Sequence, residues 1–248
     1  RRNRNTLLVG ALLLVLLSLI LYTIFRQNKL NNEKKVLALE QSRLRSQMNP
    51  HFLFNSLNSI KHFIINNEQK NAIRYLNKFS KLVRKILDAS SEKDISLQEE
   101  LETVDLYMKI ENTRFNDEID FKIEVAPDIN PAAIKTPSLV LQPFLENALW
   151  HGLSSKKGEK IIRLKVTRSS PDYIEITIRD NGIGREASEK LNLQKTLERK
   201  SVGIPITRER LINFSRVYQN SFDLSITDVI GADGKVAGTE VVLRIPTV

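Results

Sequence analysis

A long uncharged run near the start of the chain restricts its fold more than any other feature. No side chain is charged from residue 5 to residue 25, and the stretch 7–25 consists mainly of Leu, Ile, Val and Ala. This length approaches the ~20 residues that cross ~30 Å of hydrocarbon as a helix. A secretory signal peptide is the alternative, but its apolar stretch is usually about 7–15 residues and ends at small residues. The run therefore predicts a transmembrane helix.

Basic residues flank both ends of this run. They are Arg1, Arg2 and Arg4 before it, and Arg26, Lys29, Lys34 and Lys35 after it. Because positive charge marks the cytoplasmic side, and both sides are basic here, the flanks alone do not orient the helix. The chain begins with Arg rather than Met, so we expect a fragment whose sensing part, and with it the stimulus, lies upstream.

The net charge of +9 is concentrated beside the predicted membrane helix. Residues 1–25 carry three basic and no acidic side chains, residues 26–86 carry thirteen and three, and residues 87–248 carry twenty-two and twenty-six. A basic segment next to a membrane suits anionic lipid and an acidic protein partner. A membrane-tethered DNA-binding protein is disfavoured because the C-terminal part is slightly acidic. The absence of cysteine excludes disulfides and thiolate metal sites.

Three helical patterns follow the predicted membrane span. Leucines spaced by seven in 28–48 indicate a short coiled coil, which Pro50 interrupts. Amphipathic patterns at 52–64 and 70–89, separated by a polar turn at 66–68, predict a helical hairpin. In the second helix, one apolar face is expected to contain Ile73, Leu76, Phe79, Leu82, Val83 and Ile86. A hairpin cannot bury both its apolar faces alone, so we expect a dimer that forms a four-helix bundle.

The C-terminal part changes from helical to mixed periodicity. Ser96 and Glu99 have the spacing of a capping box, which predicts a helix to about Arg114. Alternating or β-branched stretches then predict strands at 121–125, 160–168, 173–179, 222–227 and 240–245. Helical patterns lie between them at 138–150 and 204–218. This order predicts an α/β sandwich with helices on one face of a mixed sheet.

A glycine-rich turn follows one of these strands. Asp180-Asn181-Gly182-Ile183-Gly184 contains two glycines that let a ligand approach the backbone, and a carboxylate that can accept a hydrogen bond from an amino group. Taken alone, Asn-Gly after a strand is more often a hairpin turn. The segment therefore predicts a binding loop only if other parts of a site accompany it.

Two further segments supply such parts. Glu146, Asn147 and His151 lie within about one and a half turns of an otherwise apolar helix, although ordinary surface polar residues are the alternative. An amide oxygen beside a carboxylate suits Mg²⁺ with phosphate oxygens. Gly203 precedes a helix whose N-terminal amides could face a phosphate. The charged stretch between Gly184 and Gly203 is typical of a mobile lid.

These three elements, in this order and spacing, resemble the N, G1 and G2 boxes of the GHKL ATP-binding superfamily. The segment 47–58, with His51 after Pro50, resembles the phosphoacceptor motif of the LytS-like sensor histidine kinases. Gly238-Thr239 is similar to the last ATP-site element of that family, and the matches together cover about 39–246. The third box departs from the pattern: Ser201 stands where relatives often have Gly, and Ile206 where they often have Asn.

The resemblance implies a membrane-anchored, multi-domain protein. We expect a transmembrane helix with basic flanks at 1–26, a juxtamembrane coiled-coil helix at 27–48, a dimerisation and histidine phosphoacceptor hairpin at 49–95, and an ATP-binding catalytic domain of the GHKL type at 96–248. The chain would be a single-pass homodimer of the inner (plasma) membrane that also contacts membrane lipid, with its catalytic part in the cytoplasm. No direct nucleic-acid binding is expected.

The resemblance also implies a role for each site residue. His51 would be the nucleophile that attacks ATP, and Glu146 would help to polarise its imidazole. Asn147 would hold the Mg²⁺ ion that bridges the phosphates, and Asp180 would bind the adenine amino group. The other residues expected at the ATP site are His151, Gly182, Gly184, Gly203, Gly238 and Thr239.

The phosphoryl group would then pass to an aspartate in the receiver domain of a response regulator. The rival is a GHKL-type ATP-binding conformational or scaffold protein without kinase activity, which the altered third box favours and His51 disfavours. Asn55 lies one helical turn after His51, where it would serve either phosphatase activity or local capping. The identity of the regulator, and whether phosphorylation is within or between subunits, stay open.

Overall fold

The computed structural model describes residues 22, 23, 25–27, 29, 50–194, 203–219, 221–232 and 234–247. The chain divides into two compact units, Arg1–Leu53 and Phe54–Val248. Within the described parts, no helix has both the length and the apolar character needed to cross a membrane. Apart from six of their residues, the predicted transmembrane helix and the predicted coiled coil lie outside the described residues and stay predictions.

The predicted helical hairpin is confirmed. Helix α1 covers Pro50–Ile65 and helix α2 covers Gln69–Ser91. The turn between the helices contains Asn67 in the left-handed region, with φ +58°, where Asn is favoured among non-glycine residues.

Helix α2 carries apolar side chains that are buried in the single chain and others that are exposed. The buried stripe consists of Ala72, Tyr75, Leu82, Ile86 and Ala89. Ile73 and Leu76, two residues of the apolar face predicted from the sequence, are 61% and 47% exposed in the single chain. A one-residue step turns a helix by about 100°, which places these two side chains on a neighbouring stripe. That second stripe is available for a further packing partner.

The capping box predicted after the hairpin is present. Helix α3 covers Leu97–Arg114, and the Ser96 hydroxyl accepts a hydrogen bond from the Glu99 amide at 3.2 Å. In return, the Glu99 carboxylate accepts from the Ser96 amide at 2.9 Å. The two bonds satisfy backbone donors that an uncapped helix would leave without partners. Helix α2 packs against α3, which links the hairpin to the C-terminal part.

The C-terminal part is built on a five-stranded mixed sheet, as expected. Its strands are β2 (Ile119–Val125), β4 (Lys160–Ser170), β5 (Tyr173–Asp180), β6 (Asp223–Ile230) and β7 (Val236–Pro246). Their order is β2-β4-β5-β7-β6, with β2 parallel to β4 and the other neighbours antiparallel. The sequence did not predict the short antiparallel pair β1 (Asp94–Ser96) and β3 (Lys135–Pro137).

One face of this sheet is apolar and covered, and the other is charged. The covered face of the central strands includes Ile162, Leu164, Val166, Ile174, Ile176, Ile178, Leu243 and Ile245. Charged residues alternate with them, among them Arg163, Lys165, Arg179 and Arg244. Alternation of this kind belongs to a sheet that is packed on one side only. The predicted α/β arrangement with helices on one face is therefore confirmed.

The helices of the C-terminal part differ from the prediction in two places. The helix expected at 138–150 begins only at α4 (Gln142–Asn147), which continues as a π-helical turn over Ala148–Leu153, called the π-turn below. The stretch expected to be a lid contains α5 (Arg185–Gln194), which was not predicted, while 195–202 lies outside the described residues. Helix α6 (Gly203–Val217) agrees with the prediction at 204–218.

Candidate functional site

The carboxylate of Asp180 is the centre of the candidate site. It lies at the end of β5 and is 6% exposed. Its Oδ1 atom accepts hydrogen bonds from the amides of Gly182 at 2.7 Å and Thr239 at 3.3 Å. Burial raises the pKa of Asp180 to about 6, and the two backbone hydrogen bonds oppose that rise. The group is thus a buried, oriented acceptor, suited to a ligand amino group.

Glycines allow three backbone segments to meet around this carboxylate. A Cβ atom on Gly182 would lie 2.6 Å from the backbone of Gly152, and one on Gly152 would lie 3.0 Å from Asp180 Oδ1. A Cβ atom on Gly238 would lie 1.9 Å from the carbonyl oxygen of Asp180, at a φ of +147°. Larger residues at these positions would push the β5 end, the π-turn and β7 apart.

Gly184 has a different reason to be glycine. Its φ is +79°, in the left-handed region, and a Cβ atom there would lie 2.2 Å from Val236 Cγ1. The next residue, Arg185, donates its amide to Asp228 Oδ1 at 3.1 Å and begins α5. Gly184 therefore lets the binding loop turn sharply against β6 and β7 before the chain enters the helix.

The predicted N-box residues lie on α4 and the π-turn, and all three are partly buried. The Oε1 atom of Glu146 accepts a hydrogen bond from Gln142 Nε2 at 2.9 Å. Asn147 is the last residue of α4, and His151 lies in the π-turn. Short π-helical insertions are rare and frequently occur at functional sites. Here the wider turn carries Gly152 to the Asp180 carboxylate, where the Gly152 carbonyl accepts from the Ile183 amide at 3.1 Å.

These residues fit a magnesium nucleotide better than a metal ion alone. No group of three or more His, Cys, Asp or Glu in the described part of the chain could hold a metal. Asn147 offers one neutral oxygen, so Mg²⁺ at this place would need phosphate oxygens as further ligands, which is a usual arrangement for this ion. Gly152, Gly182 and Gly238, called the glycine cradle below, surround the buried Asp180 carboxylate. This arrangement suits a flat base with an amino group.

Asn181 and Lys156 complete the loop, and the sequence did not single out either of them. Asn181 Oδ1 accepts from the Ile161 amide at 2.9 Å, and its Nδ2 donates to the Glu159 carbonyl at 3.2 Å. The Lys156 ammonium donates to the Asn181 carbonyl. Burial lowers the pKa of Lys156, while the nearby charges of Glu159 and Asp180 oppose that shift. The loop at 180–184 leads from β5 into helix α5 and not into a paired strand. It is therefore not a hairpin turn.

Two charged side chains, Glu100 and Arg210, hold the segment 138–141 outside the helix that was predicted to begin at 138. Together they are called the ionic clamp below. The Glu100 carboxylate, on α3, accepts from the amides of Leu139 and Leu141, each at 2.8 Å. On the other side, Arg210 Nη1 donates to the carbonyls of Ser138 and Leu139 at 2.9 and 3.0 Å. Leu139 takes a φ of +54°, which costs a non-glycine residue on the order of 1 kcal/mol. The clamp thus holds the segment that leads into α4.

We expect Glu100→Gln to lower the free energy of unfolding by about 1–3 kcal/mol, because an amide cannot accept from both backbone donors. The test is urea unfolding at pH 8, above the pKa of about 7 that burial gives Glu100. Fluorescence of Trp150, the only tryptophan, reports the transition. Glu102→Gln is the control, since it removes only a half-exposed ion pair with Lys85, worth less than about 1 kcal/mol. Equal losses in both variants would contradict this role of Glu100.

The pKa of Asp180 predicts how binding of a ligand amino group to this carboxylate would depend on pH. Adenosine should bind most tightly above pH 6 and lose up to about tenfold in affinity for each unit below it, because the ionised carboxylate is the better acceptor. Adenosine is the suitable probe since it carries no phosphate that titrates in this range. Asp180→Asn should bind more weakly and show a flat profile between pH 5 and 8. The same slope in both proteins would exclude Asp180 as its source.

The structure brings four of the ten predicted site residues into direct contact. Asp180, Gly182, Gly238 and Thr239 meet directly, through the contacts given above. Gly203 is the first residue of α6, with 201 and 202 outside the described residues. His51 lies in the first turn of α1. The chemical role expected for each of these residues stays a prediction.

Comparisons with known proteins agree with the pattern of the sequence. Residues 39–119 match the family described as histidine kinase. The YwpD protein of Bacillus subtilis is 32% identical over 71% of this chain and 62% of its own length. The sensor protein LytS of Oceanobacillus iheyensis is 34% identical over 65% of this chain and 27% of its own. The sensor histidine kinase YpdA of Escherichia coli is 32% identical over 57% and 24%.

The chain spans less than two thirds of the length of each of these curated relatives. Among solved structures, the histidine kinase domain of a blue-light activated kinase from Erythrobacter litoralis aligns over 78% of this chain and 94% of that chain. The TM-score is 0.45 and the sequence identity is 14%. At this level of overlap the alignment adds nothing to what the sequence relatives indicate.

Proposed function

We propose that the chain is a sensor histidine kinase similar to LytS, which phosphorylates itself on His51 with ATP and passes the phosphoryl group to an aspartate of a response regulator. The observation that carries this proposal is the buried Asp180 carboxylate, held by two backbone amides inside a glycine cradle. It supports an adenine-binding pocket in the same chain as a Pro-His motif within the matched family region.

The reaction is a transfer of the γ-phosphoryl group to an imidazole nitrogen. Neutral His51 attacks the γ-phosphorus; the new N–P bond forms as the bond to the β–γ bridging oxygen breaks, and ADP leaves. An unperturbed imidazole, with a pKa near ~6.5, offers the required lone pair at physiological pH. Glu146 receives the ring proton or polarises it, and Gln142 holds its carboxylate at 2.9 Å. Catalysis then depends mainly on positioning and charge neutralisation.

Three parts of the site bind the nucleotide. Asp180 accepts a hydrogen bond from the adenine amino group, which selects adenine over guanine. Asn147 supplies an oxygen to Mg²⁺, which neutralises charge on the phosphates. The glycines at 182, 184 and 238 keep the surrounding backbone close, and the amides at the start of α6 would face the phosphates. The remaining contacts come from His151 and Thr239, and the whole unit is an ATPase domain of the GHKL type.

The hairpin supports a homodimer as the working form. Besides the buried stripe of α2, large apolar side chains stay exposed on both hairpin helices. They are Phe54, Leu57, Ile64 and Ile65 on α1, and Ile73, Leu76 and Leu87 on α2. A second copy would cover them in a four-helix bundle. The basic segment 26–86 suits an acidic receiver domain and anionic lipid, in keeping with an anchor at 7–25 and a cytoplasmic catalytic part.

Incubation of the full chain with Mg²⁺ and ATP labelled at either the α- or the γ-phosphate tests this function. The γ label should enter the protein as an acid-labile, base-stable phosphate, and the α label should not. Capture by an added receiver domain should then remove the γ label from the chain. ATP binding without any protein-bound γ label would instead favour a conformational or scaffold protein.

A further inference from the structure

The only tryptophan of the chain ties the π-turn to the end of α3. The guanidinium carbon of Arg114 lies 4.5 Å from the centroid of the Trp150 ring. The Phe115 ring lies 5.4 Å from it, centroid to centroid, at an angle of 47°. The buried Tyr107 of α3 also has a side-chain hydrogen bond with Trp150. One side chain of the π-turn therefore contacts two residues of α3 and the residue that follows this helix.

Arg114 is itself fixed by a buried carboxylate. Its Nη1 atom donates to both carboxylate oxygens of Glu111, at 3.1 and 2.9 Å, and the Glu111 side chain is 1% exposed. Burial raises the pKa of Glu111 to about 7; the charge of Arg114 opposes that rise and the charge of Glu146 adds to it. A planar guanidinium can bind a carboxylate with its edge and an indole with its face at the same time. Glu111, Arg114 and Trp150 are called the Arg114 bracket below.

The π-turn is attached to the nucleotide site at its other end. There the Gly152 carbonyl accepts from the Ile183 amide, and Gly152 has no room for a side chain against Asp180. A π-helical turn has poorer hydrogen-bond geometry than an α-helix, so tertiary contacts must hold it in place. The Arg114 bracket and the Asp180 loop are two such contacts, and His151 lies between them in the sequence.

We propose that Arg114 is a positioning residue: by holding Trp150 against α3, it fixes the π-turn, and with it the N box that ends in Asn147, relative to the Asp180 pocket. The bracket acts on the spacing between the phosphate end and the adenine end of the site. It does not touch the reacting atoms. The reaction that it serves rests on the proposed function, whereas the contact between Arg114 and Trp150 does not.

The test uses the full chain with Arg114→Ala, Arg114→Lys and the control Lys109→Ala. Lys109 lies on the same helix in an ion pair with Asp105, and its side chain is 58% exposed. In Arg114→Ala, we expect Trp150 emission at longer wavelength and a phosphorylation rate at saturating ATP that falls about ten- to hundredfold, as small misplacements do. The ATP dissociation constant should change less than about threefold, because Asp180 and its glycines are intact.

The conservative variant and the control separate positioning from simple packing. Arg114→Lys should recover part of the rate, since it keeps the charge but lacks the planar fork. Lys109→Ala should match the wild type in emission, rate and affinity. Unchanged emission or an unchanged rate in Arg114→Ala overturns the proposal, and so does an equal loss of rate and ATP affinity. A wild type that binds ATP without phosphorylating itself refutes the proposed function instead, because the emission measurement needs no phosphorylation.

Discussion

Gly238→Ala should lower the affinity for ATP by at least about a hundredfold. The new methyl group would lie 1.9 Å from the carbonyl oxygen of Asp180, and the φ of +147° is one that L-residues rarely adopt. Backbone atoms rather than a flexible side chain must therefore move, and they belong to Asp180, the residue proposed to bind adenine. A displacement of about 1 Å at a binding group is enough for a loss of this size. Equilibrium binding of ATP with Mg²⁺ measures it.

Gly158→Ala is the matched control for this variant. Gly158 also has a positive φ, of +85°, but a Cβ atom there meets nothing within 4 Å. It should therefore cost on the order of 1 kcal/mol in stability through backbone strain and leave ATP affinity unchanged. Thermal unfolding followed by Trp150 fluorescence shows whether Gly238→Ala is still folded. A folded Gly238→Ala protein with wild-type affinity for ATP would contradict the claim that the glycine cradle is needed for binding.

His51→Gln should abolish protein-bound phosphate while ATP binding is unchanged. The amide of Gln has no lone pair on nitrogen that can attack phosphorus, although its size and polarity are close to those of imidazole. His62→Gln is the control on the same helix. His62 is exposed and lies within hydrogen-bond distance of the Asn66 side chain, at 3.2 Å, one turn further on. The His62→Gln variant should phosphorylate itself as the wild type does. Label retained by the His51→Gln variant would show that the phosphate acceptor is another residue.

The fold could be predicted where the sequence signal is local. The five long strands show β-branched alternation within the strand, and the capping box of Ser96 and Glu99 spans only one helical turn. Helix α5 was missed because its residues, from Arg185 to Gln194, are mostly polar and lack a broad apolar stripe. The pair β1 and β3 was missed because each strand has three residues, too few to show a period.

The start of α4 shows why other errors were unavoidable. Nothing between 138 and 141 breaks a helical pattern by itself. The segment turns before the helix begins, because Glu100 binds it from 39 and 41 residues earlier and Arg210 from 71 and 72 residues later. Tertiary hydrogen bonds of this kind override local propensity and leave no periodic trace in the sequence.

The candidate site also contains some residues that the sequence identified and others that only the fold reveals. Asp180 and Gly182 lie in a glycine-rich motif and Gly238 in a motif that the family resemblance identified, and the structure brings the three together. Lys156 and Arg114 lie in no such motif, and their importance comes from partners that only folding brings near. For Arg114 that partner is Trp150, 36 positions away in the sequence. Motifs thus locate the chemistry, whereas the supporting contacts need the fold.

Peptide mapping of the phosphorylated chain, kept at neutral or basic pH after a brief reaction with Mg²⁺ and ATP, tests the central claim most directly. The proposed kinase should carry a single phosphate on the peptide that contains His51, and none on the peptides that contain His62 or His151. Phosphate on either of those peptides, or steady consumption of ATP with every histidine unmodified, would contradict it.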